Sequence, residues 1–269
     1  ALKNINLDIK KGELCAIIGA NGSGKTTLCN VIRGFVPEFY EGDFKGDVLI
    51  KGSNIKNMGL GELAMDIGFV FQNPFTQTSG VKETVFKEIA FGLENLGIEK
   101  NLIIERVNKT LKLLSIENLQ DKNPFELSGG QRQRVALASI IVMDPEILVI
   151  DEPTSQLDPK STEEVFGIIK LMKEKGKTIV LVEHKINLIA EYADKVVVMK
   201  DGEIALDGPT KEVLTNKNLA KYGSFVPEYV LLGNKLREEN LPLVNIPLTM
   251  EEAVSEVSTL LGSRDEVIR

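Results

Sequence analysis

Short, almost fully apolar runs recur along the chain and predict buried β-strands. Runs of this length suit strands of a parallel sheet that is covered on both faces, and they are too short for core helices. The predicted strands are Leu14–Ile18, Val48–Lys51, Ile67–Phe71, Ile147–Ile150, Thr178–Val182 and Lys195–Met199.

Segments between these runs carry apolar residues at helical spacing. Helices are expected from the glycine-rich turn after the first strand to about Arg33, from about Val81 to Ser115, from Ser128 onward, and over Glu163–Lys175. Strands that alternate with helices indicate βαβ units. The pattern therefore predicts an α/β fold with a mostly parallel sheet.

Two stretches depart from this alternation. Residues 73–127 show helical patterns without strands, as expected of a helical insertion into the α/β core. After Pro209 the strand pattern ends, and helices are predicted at Thr210–Thr215, Pro227–Glu239 and Thr249–Leu261. Thr249 followed by Glu252 predicts a capping box at the last of them.

Composition narrows the class of protein. The chain has 269 residues and a formal net charge of −7, a balance that disfavours a protein that embraces duplex nucleic acid. Cys15 and Cys29 lie in apolar patterns and are expected to be buried and not disulfide-bonded. Since the apolar runs are too short to span a bilayer, any membrane-spanning part is expected from another chain.

A glycine-rich segment between the first strand and the first helix fits the pattern G-x-x-x-x-G-K-[ST] of the phosphate-binding P-loop. Its main-chain N–H groups and the helix N-terminus can cradle a polyphosphate, with Lys25 bridging the β- and γ-phosphates and the Thr26 hydroxyl binding Mg²⁺. The predicted nucleotide-binding residues are Gly19, Ala20, Asn21, Gly22, Ser23, Gly24, Lys25, Thr26 and Thr27. Kinases, GTPases and many ATPases share this motif, so it predicts the ligand and leaves the reaction open.

Two carboxylates end the apolar run at residues 147–150. Asp151 is suited to hold Mg²⁺ through water, and Glu152 to act as the general base that activates the attacking water. An acidic strand end that merely caps the following turn is the alternative, and Pro153 fits a turn.

His184 is the only histidine and follows the predicted strand Thr178–Val182. With one histidine and no cysteine cluster, a zinc site is not expected. A lone histidine is more often structural than catalytic. At a strand end in this α/β order, however, the imidazole of His184 could reach a γ-phosphate and orient the water together with Glu152, a role that the next motif favours.

The segment Leu127-Ser128-Gly129-Gly130-Gln131 resembles the signature sequence of ABC ATPases. A serine and two glycines at a helix start can form a second anion-binding half-site, which would close over the ATP held by a partner subunit. For the pentapeptide alone, a serine N-cap beside flexible glycines is the alternative. The resemblance extends over an ordered set of motifs in residues 1–208: the P-loop, Gln72, the signature residues Ser128, Gly129, Gly130 and Gln131, the pair Asp151 and Glu152, the D-loop residues Ser155 and Asp158, and His184.

The resemblance implies a P-loop NTPase (RecA-like) core with a parallel sheet. The nucleotide-binding domain would span residues 1–208, with the helical subdomain at about 73–134, and residues 209–269 would form a small C-terminal helical extension. Lys25, Gln72, Glu152 and His184 would be catalytic, and Thr26, Gln72 and Asp151 would bind Mg²⁺. ATP is the implied substrate, bound in a nucleotide-sandwich dimer.

A narrower resemblance, to the ATPases of energy-coupling factor importers, is carried by Phe71-Gln72-Asn73-Pro74 with Gln77, by Val81–Val85 and by Ile89–Gly97. Such ATPases pair with a second ABC ATPase and drive a membrane coupling protein that serves substrate-capture subunits for vitamins or metal ions. This resemblance implies a position at the cytoplasmic face of the cell membrane. Members of that group often carry Asp after the Asn-Pro pair, where this chain has Phe75.

ABC ATPases usually stack adenine on an aromatic residue upstream of the position of Ala1. Residues 1–13 contain no aromatic residue, so either the strand that carries it precedes Ala1, which we expect, or adenine is held differently. The residue that stacks on adenine is therefore unassigned.

Two other functions compete with transport. One is a soluble ABC ATPase that acts on nucleic acid or the ribosome; the charge balance, the single ATPase cassette and the lack of long heptad repeats disfavour it. The other is a regulatory nucleotide binder without hydrolysis, which the presence of Glu152 and His184 disfavours.

Overall fold

The secondary structure alternates between strands and helices over most of the chain. A computed structural model describes residues 1–241 and 243–267. Within them the strands are β1 Leu14–Ile18, β2 Leu49–Ile50, β3 Ser53–Asn54, β4 Ile67–Val70, β5 Ile147–Asp151, β6 Thr178–Val182, β7 Lys195–Lys200 and β8 Glu203–Pro209. The α-helices are α1 Lys25–Ile32, α2 Leu60–Asp66, α3 Pro74–Gln77, α4 Val85–Asn95, α5 Lys100–Leu113, α6 Gly129–Ile141, α7 Pro159–Glu174, α8 Ile186–Tyr192, α9 Thr210–Leu214, α10 Glu228–Glu238 and α11 Met250–Val267.

The chain forms two compact units that interleave in sequence. Unit 1 comprises residues 1–8, 14–25 and those from Glu183 onward. Unit 2 comprises residues 9–13 and 26–182. The domain boundary predicted at residue 208 and the subdomain limits of 73 and 134 stay predictions.

In unit 2, three parallel strands pair in the order β4, β5, β6. Val70 lies beside Ile150, and Ile150 lies beside Leu181, so the carboxyl ends of the strands are level with one another. These strands are almost fully buried, as their continuous apolar runs predict.

Between β4 and β5, the described residues of unit 2 form helices and no strand, which confirms the helical pattern predicted for residues 73–127. Helix α4 packs against α5 and α6, and its Val85, Ile89 and Leu93 are fully buried. The predicted continuous helical pattern is broken into α4 and α5, because Gly97 adopts a positive φ of 68° that ends α4.

The strand predicted at Val48–Lys51 is wrong as a member of the parallel sheet. Leu49–Ile50 instead pairs antiparallel with Ser53–Asn54 in a small hairpin. Lys51 and Gly52 form its turn with φ values of 54° and 84°, the geometry of a type I′ hairpin.

In unit 1, β1 pairs parallel with β7, and β7 pairs antiparallel with β8, a strand that the apolar pattern did not predict. The helices after Pro209 pack onto β1 and β7 in one apolar cluster, to which Val213, Leu214 and Val230 contribute. Among residues 210–241 and 243–267 no strand occurs.

The predicted capping box of the last helix is half formed. The Thr249 hydroxyl accepts a hydrogen bond from the Glu252 N–H at 3.3 Å. The Glu252 carboxylate reaches the N–H of Leu248 at 2.7 Å rather than that of Thr249.

The remaining expectations from composition concern burial. Cys15 and Cys29 are both buried. Over the described ranges, no helix combines the length and the apolar character needed to cross a bilayer.

Gly68 of β4 provides a test of packing in unit 2. A Cβ at this position would overlap the Ile140 side chain of α6 and lie 2.9 Å from Pro145 Cγ. We expect Gly68→Ala to lower the free energy of unfolding by about 1–3 kcal/mol, because a filled core has no room for the methyl group. The urea midpoint measures this change.

Gly61→Ala is the matched control, because a Cβ at Gly61 of α2 meets open space. This substitution should leave stability unchanged or raise it slightly, since alanine favours helix. Equal urea midpoints for both variants would contradict the packing described for Gly68.

Candidate functional site

The glycine-rich loop of unit 1 joins the end of β1 to the start of α1. Gly19 has a φ of 142°, and a Cβ there would overlap the carbonyl oxygen of Met199 in β7, so only glycine fits. The Ser23 N–H donates to Ala20 O at 3.1 Å, which closes the loop into a turn. The predicted strand–loop–helix arrangement is therefore present.

Lys25 is directed back over this loop. Its side chain is 5% exposed, and its Nζ donates to the carbonyl oxygens of Gly19 at 2.9 Å and Ala20 at 3.1 Å. Ser23 Oγ is buried and has no hydrogen-bond partner among the described residues. A cationic group and an unused hydroxyl thus face a loop with exposed main chain, which suits a phosphate group.

The C-terminal part of unit 1 contacts the same loop. Gly223 has a φ of 76°, and a Cβ there would lie 3.1 Å from Ala20 Cβ. The sequence did not predict this contact, because nothing in the local pattern links residue 223 to the loop.

His184 lies in unit 1 and is half-buried. The main-chain N–H of His184 donates to Oε1 of Glu183 at 2.8 Å, and the main-chain N–H of Lys185 donates to the same oxygen at 3.3 Å. Glu183 is only 1% exposed, so its carboxylate fixes the main chain on which His184 stands. Sequence reasoning missed Glu183, although an acidic residue that ends a buried apolar run was a usable signal.

In unit 2, Gln72 and Glu152 follow the level carboxyl ends of β4 and β5. Gln72 Nε2 donates to Oε2 of Glu152 at 2.7 Å. The structure therefore brings together two predicted catalytic residues that are far apart in the sequence. Asp151, the last residue of β5, is 4% exposed.

Glu152 also has an unusual main chain. Its φ is 45°, in the left-handed region, which costs a non-glycine residue about 1–3 kcal/mol. The Glu152 N–H donates to Val182 O at 2.9 Å, a hydrogen bond that holds this conformation. Such local strain is typical of functional positions.

The signature residues form the N-terminus of α6. A complete capping box is present: Ser128 Oγ accepts from the Gln131 N–H at 3.4 Å, and Gln131 Oε1 accepts from the Ser128 N–H at 3.2 Å. Ser128 and Gly129 are exposed, whereas Gly130 is buried. The Ser128 hydroxyl oxygen acts as acceptor in this cap, so its proton can still be donated to a ligand.

Asp158 caps α7. Its Oδ1 accepts from the Ser161 N–H at 3.0 Å, and its Oδ2 accepts from Ser161 Oγ at 2.7 Å. These hydrogen bonds lower the pKa of Asp158 from its ordinary value of 3.8. Ser155, the other predicted D-loop residue, is exposed.

Metal binding by side chains alone is not indicated. Within the described residues, no group of three or more His, Cys, Asp or Glu side chains could hold a metal ion. Unit 2 contributes Thr26, Gln72 and Asp151, a set with one carboxylate. Mg²⁺ typically takes one or two carboxylates and completes its shell with phosphate oxygens and water, so these residues fit an ion that arrives with a nucleotide.

Comparisons with known proteins agree with these features. The family model described as ABC transporter matches residues 2–155. The energy-coupling factor transporter ATP-binding protein EcfA2 of Acetivibrio thermocellus is 42% identical over 262 residues, covering 96% of this chain and 90% of that protein.

Solved structures agree as well. CbiO1 of Clostridium perfringens, part of the ABC transporter complex CbiONQ, superposes with a TM-score of 0.73 at 38% identity, covering 82% of this chain and 86% of that chain. The dimeric structure of MJ0796, a bacterial ABC transporter cassette, gives a TM-score of 0.67 at 32% identity, with 78% and 90% covered. The predicted α/β cassette fold is thereby confirmed.

Gly130 provides a test of how the signature residues are held. A Cβ at Gly130 would overlap the Ser161 side chain of α7, whereas one at Gly129 would only touch Leu157 at 3.8 Å. We expect Gly130→Ala to lower the free energy of unfolding by about 1–3 kcal/mol through overpacking. Gly129→Ala is the control and should be close to neutral.

The double variant Gly130→Ala/Ser161→Gly tests the cause. Removing the Ser161 side chain makes room for the new methyl group and should recover part of the loss in the urea midpoint. Additive losses from the two substitutions would argue against direct packing of residue 130 on residue 161.

Proposed function

This chain belongs to the ABC transporter family of ATP-binding proteins, and we propose that it is the ATPase subunit of an energy-coupling factor importer. ABC ATPases of this family hydrolyse ATP to drive transport. The observation that carries the proposal is the hydrogen bond from Gln72 to Glu152, which holds a candidate general base beside a residue suited to contact water and metal.

Nucleotide binding would use the loop of unit 1 and the start of α1. Lys25 would exchange its two carbonyl acceptors for phosphate oxygens, and the main-chain N–H groups would donate to the remaining oxygens. The residues assigned to this role are Gly19, Ala20, Asn21, Gly22, Ser23, Gly24, Lys25, Thr26 and Thr27.

Thr26, Gln72 and Asp151 would hold Mg²⁺. The ion would neutralise charge that develops on the transferred phosphoryl group. Glu152 would accept a proton from the attacking water, and His184 would hold that water in line through its imidazole. Lys25 would stabilise the same developing charge on the phosphoryl oxygens.

The second half-site would act on the ATP of a partner subunit. Ser128 and Gly129 are exposed at the N-terminus of α6, where an anion is favoured, and Gly130 and Gln131 follow them in the same first turn. Ser155 and Asp158 would lie between the two nucleotides as the D-loop. The partner would be a second ABC ATPase, either a copy of this chain or a related one.

A surface of unit 2 would receive the membrane partner. We define it by Phe75, Val81 and Phe125, which are 54%, 72% and 54% exposed. Gly80, directly before Val81, lies next to the Phe125 ring, and we group the three exposed residues as one apolar patch. A patch of this kind favours a protein partner. The partner would be a membrane-embedded coupling protein with capture subunits for a vitamin or a metal ion, placing this chain at the cytoplasmic face.

Glu152→Gln tests the assigned base. The variant should bind ATP normally, lose turnover by at least roughly 100-fold because the proton acceptor is gone, and accumulate as a closed dimer. Size-exclusion chromatography with ATP and a phosphate-release assay measure both effects. Turnover at the wild-type rate would sink the assignment.

The double variant Glu152→Gln/Ser128→Arg serves as the control for the dimer. The arginine side chain would fill the half-site, so ATP should no longer bring the subunits together. A closed dimer that persists in this variant would rule out the nucleotide-sandwich arrangement.

Co-purification tests the transport role. The tagged chain, expressed in its native host and extracted in mild detergent, should recover a multi-helix membrane protein, an ABC ATPase and small capture subunits. Val81→Asp should abolish this recovery because it charges the apolar patch, whereas Val244→Asp, at an equally exposed position of unit 1, should not. Ribosomal or DNA-bound partners, with no membrane protein, would favour the alternative of a soluble ABC ATPase.

A further inference from the structure

Arg132 fixes the turn that leads into the signature residues. It follows Gln131 in α6 and is 7% exposed. Its guanidinium donates to three main-chain oxygens of the preceding turn: Pro124 O at 3.3 Å, Phe125 O at 3.1 Å and Leu127 O at 2.9 Å. Because a buried charge needs such partners, the side chain and the turn hold each other in place.

The flat face of the same guanidinium lies on Phe75. The distance from Arg132 Cζ to the centre of the ring is 3.7 Å. A guanidinium can donate hydrogen bonds along its edge and still stack on an aromatic ring with its face. Arg132 therefore joins the turn before Ser128 to the short helix α3.

Helix α3 is in turn tied to the catalytic residues. Asn73 caps it, with Oδ1 accepting from the Phe75 N–H at 3.0 Å. Gln72, directly before Asn73, donates to Glu152 at 2.7 Å. A continuous series of contacts within unit 2 thus runs from Glu152 through Gln72 and Phe75 to Arg132.

We propose that Phe75 and Arg132 are a positioning pair, through which the segment after Gln72 sets the position of the signature residues. A displacement of α3 moves the ring on which the guanidinium rests, and the guanidinium carries the turn before Ser128. Neither residue touches ATP in this role. The inference rests on the proposed function, since it requires that Ser128 and the residues after it bind the partner's ATP.

Phe75→Ala tests the pair in the full chain assembled with its partner ATPase and without the membrane protein, because Phe75 also belongs to the proposed docking surface. Because the ring is exposed, we expect the variant to fold, and thermal unfolding checks this directly. We expect kcat for ATP to fall roughly tenfold, the change that ~1.4 kcal/mol corresponds to, while the Kd for ATP of the isolated chain stays within about twofold. Phe75→Trp keeps an aromatic face and should restore kcat.

Phe225→Ala is the matched control. Phe225 is an exposed phenylalanine like Phe75, but it lies in unit 1. It should change neither kcat nor Kd. If Phe75→Ala lowers only the melting temperature and leaves kcat unchanged, the contact is merely structural and the proposal is overturned. Failure of Phe75→Trp to restore kcat would overturn the proposal as well.

A double-mutant cycle tests the pairing itself. Arg132→Lys keeps the charge and loses the planar face. If Phe75 acts only through this face, the double variant Phe75→Ala/Arg132→Lys should have about the same kcat as whichever single variant has the lower kcat. Losses in kcat that multiply would show independent roles and overturn the pair. Failure of the proposed function has a different signature: Glu152→Gln would then form no ATP-dependent dimer, whatever residue stands at position 75.

Discussion

The level, parallel pairing of β4 and β5 is the constraint on which the meeting of Gln72 and Glu152, the candidate catalytic residues of unit 2, depends. Because Val70 and Ile150 are neighbours in the register, the residues that follow the two strands emerge at the same edge. Gln72 and Glu152 can therefore meet at 2.7 Å although eighty positions separate them in the sequence. A slip of β4 by one residue would turn its side chains to the opposite face of the sheet, so Gln72 would no longer lie level with Glu152.

The signature residues are held from two sides within unit 2. Ser161, at the start of α7, fills the space beside Gly130, and Arg132 anchors the preceding turn and rests on Phe75. The half-site proposed to act on another subunit is thus joined to α7 on one side and to the segment after Gln72 on the other. Support from both sides holds the signature residues in a fixed position, as binding to a partner's ligand would require.

Much of the fold could be predicted because its strands are buried on both faces, and apolar runs report that burial directly. The loop between β1 and α1 could be predicted because its glycines and lysine mark it in the sequence, and its role in phosphate binding stays a prediction. The hairpin at residues 49–54 escaped, since strands of two residues leave no periodicity. Glu183, Arg132 and Phe75 escaped for another reason: their partners are main-chain atoms or side chains that only the folded chain brings close.

The contact between Gly223 and Ala20 bears on how such chains can be recombined. The helical part after residue 208 packs on the strands that carry the phosphate loop and reaches the loop itself. A chimaera that took this part from a relative would also replace the residues that contact the phosphate loop. The grafted part would therefore need glycine at the position of Gly223. The C-terminal segment and the candidate nucleotide site therefore have to be exchanged together rather than separately.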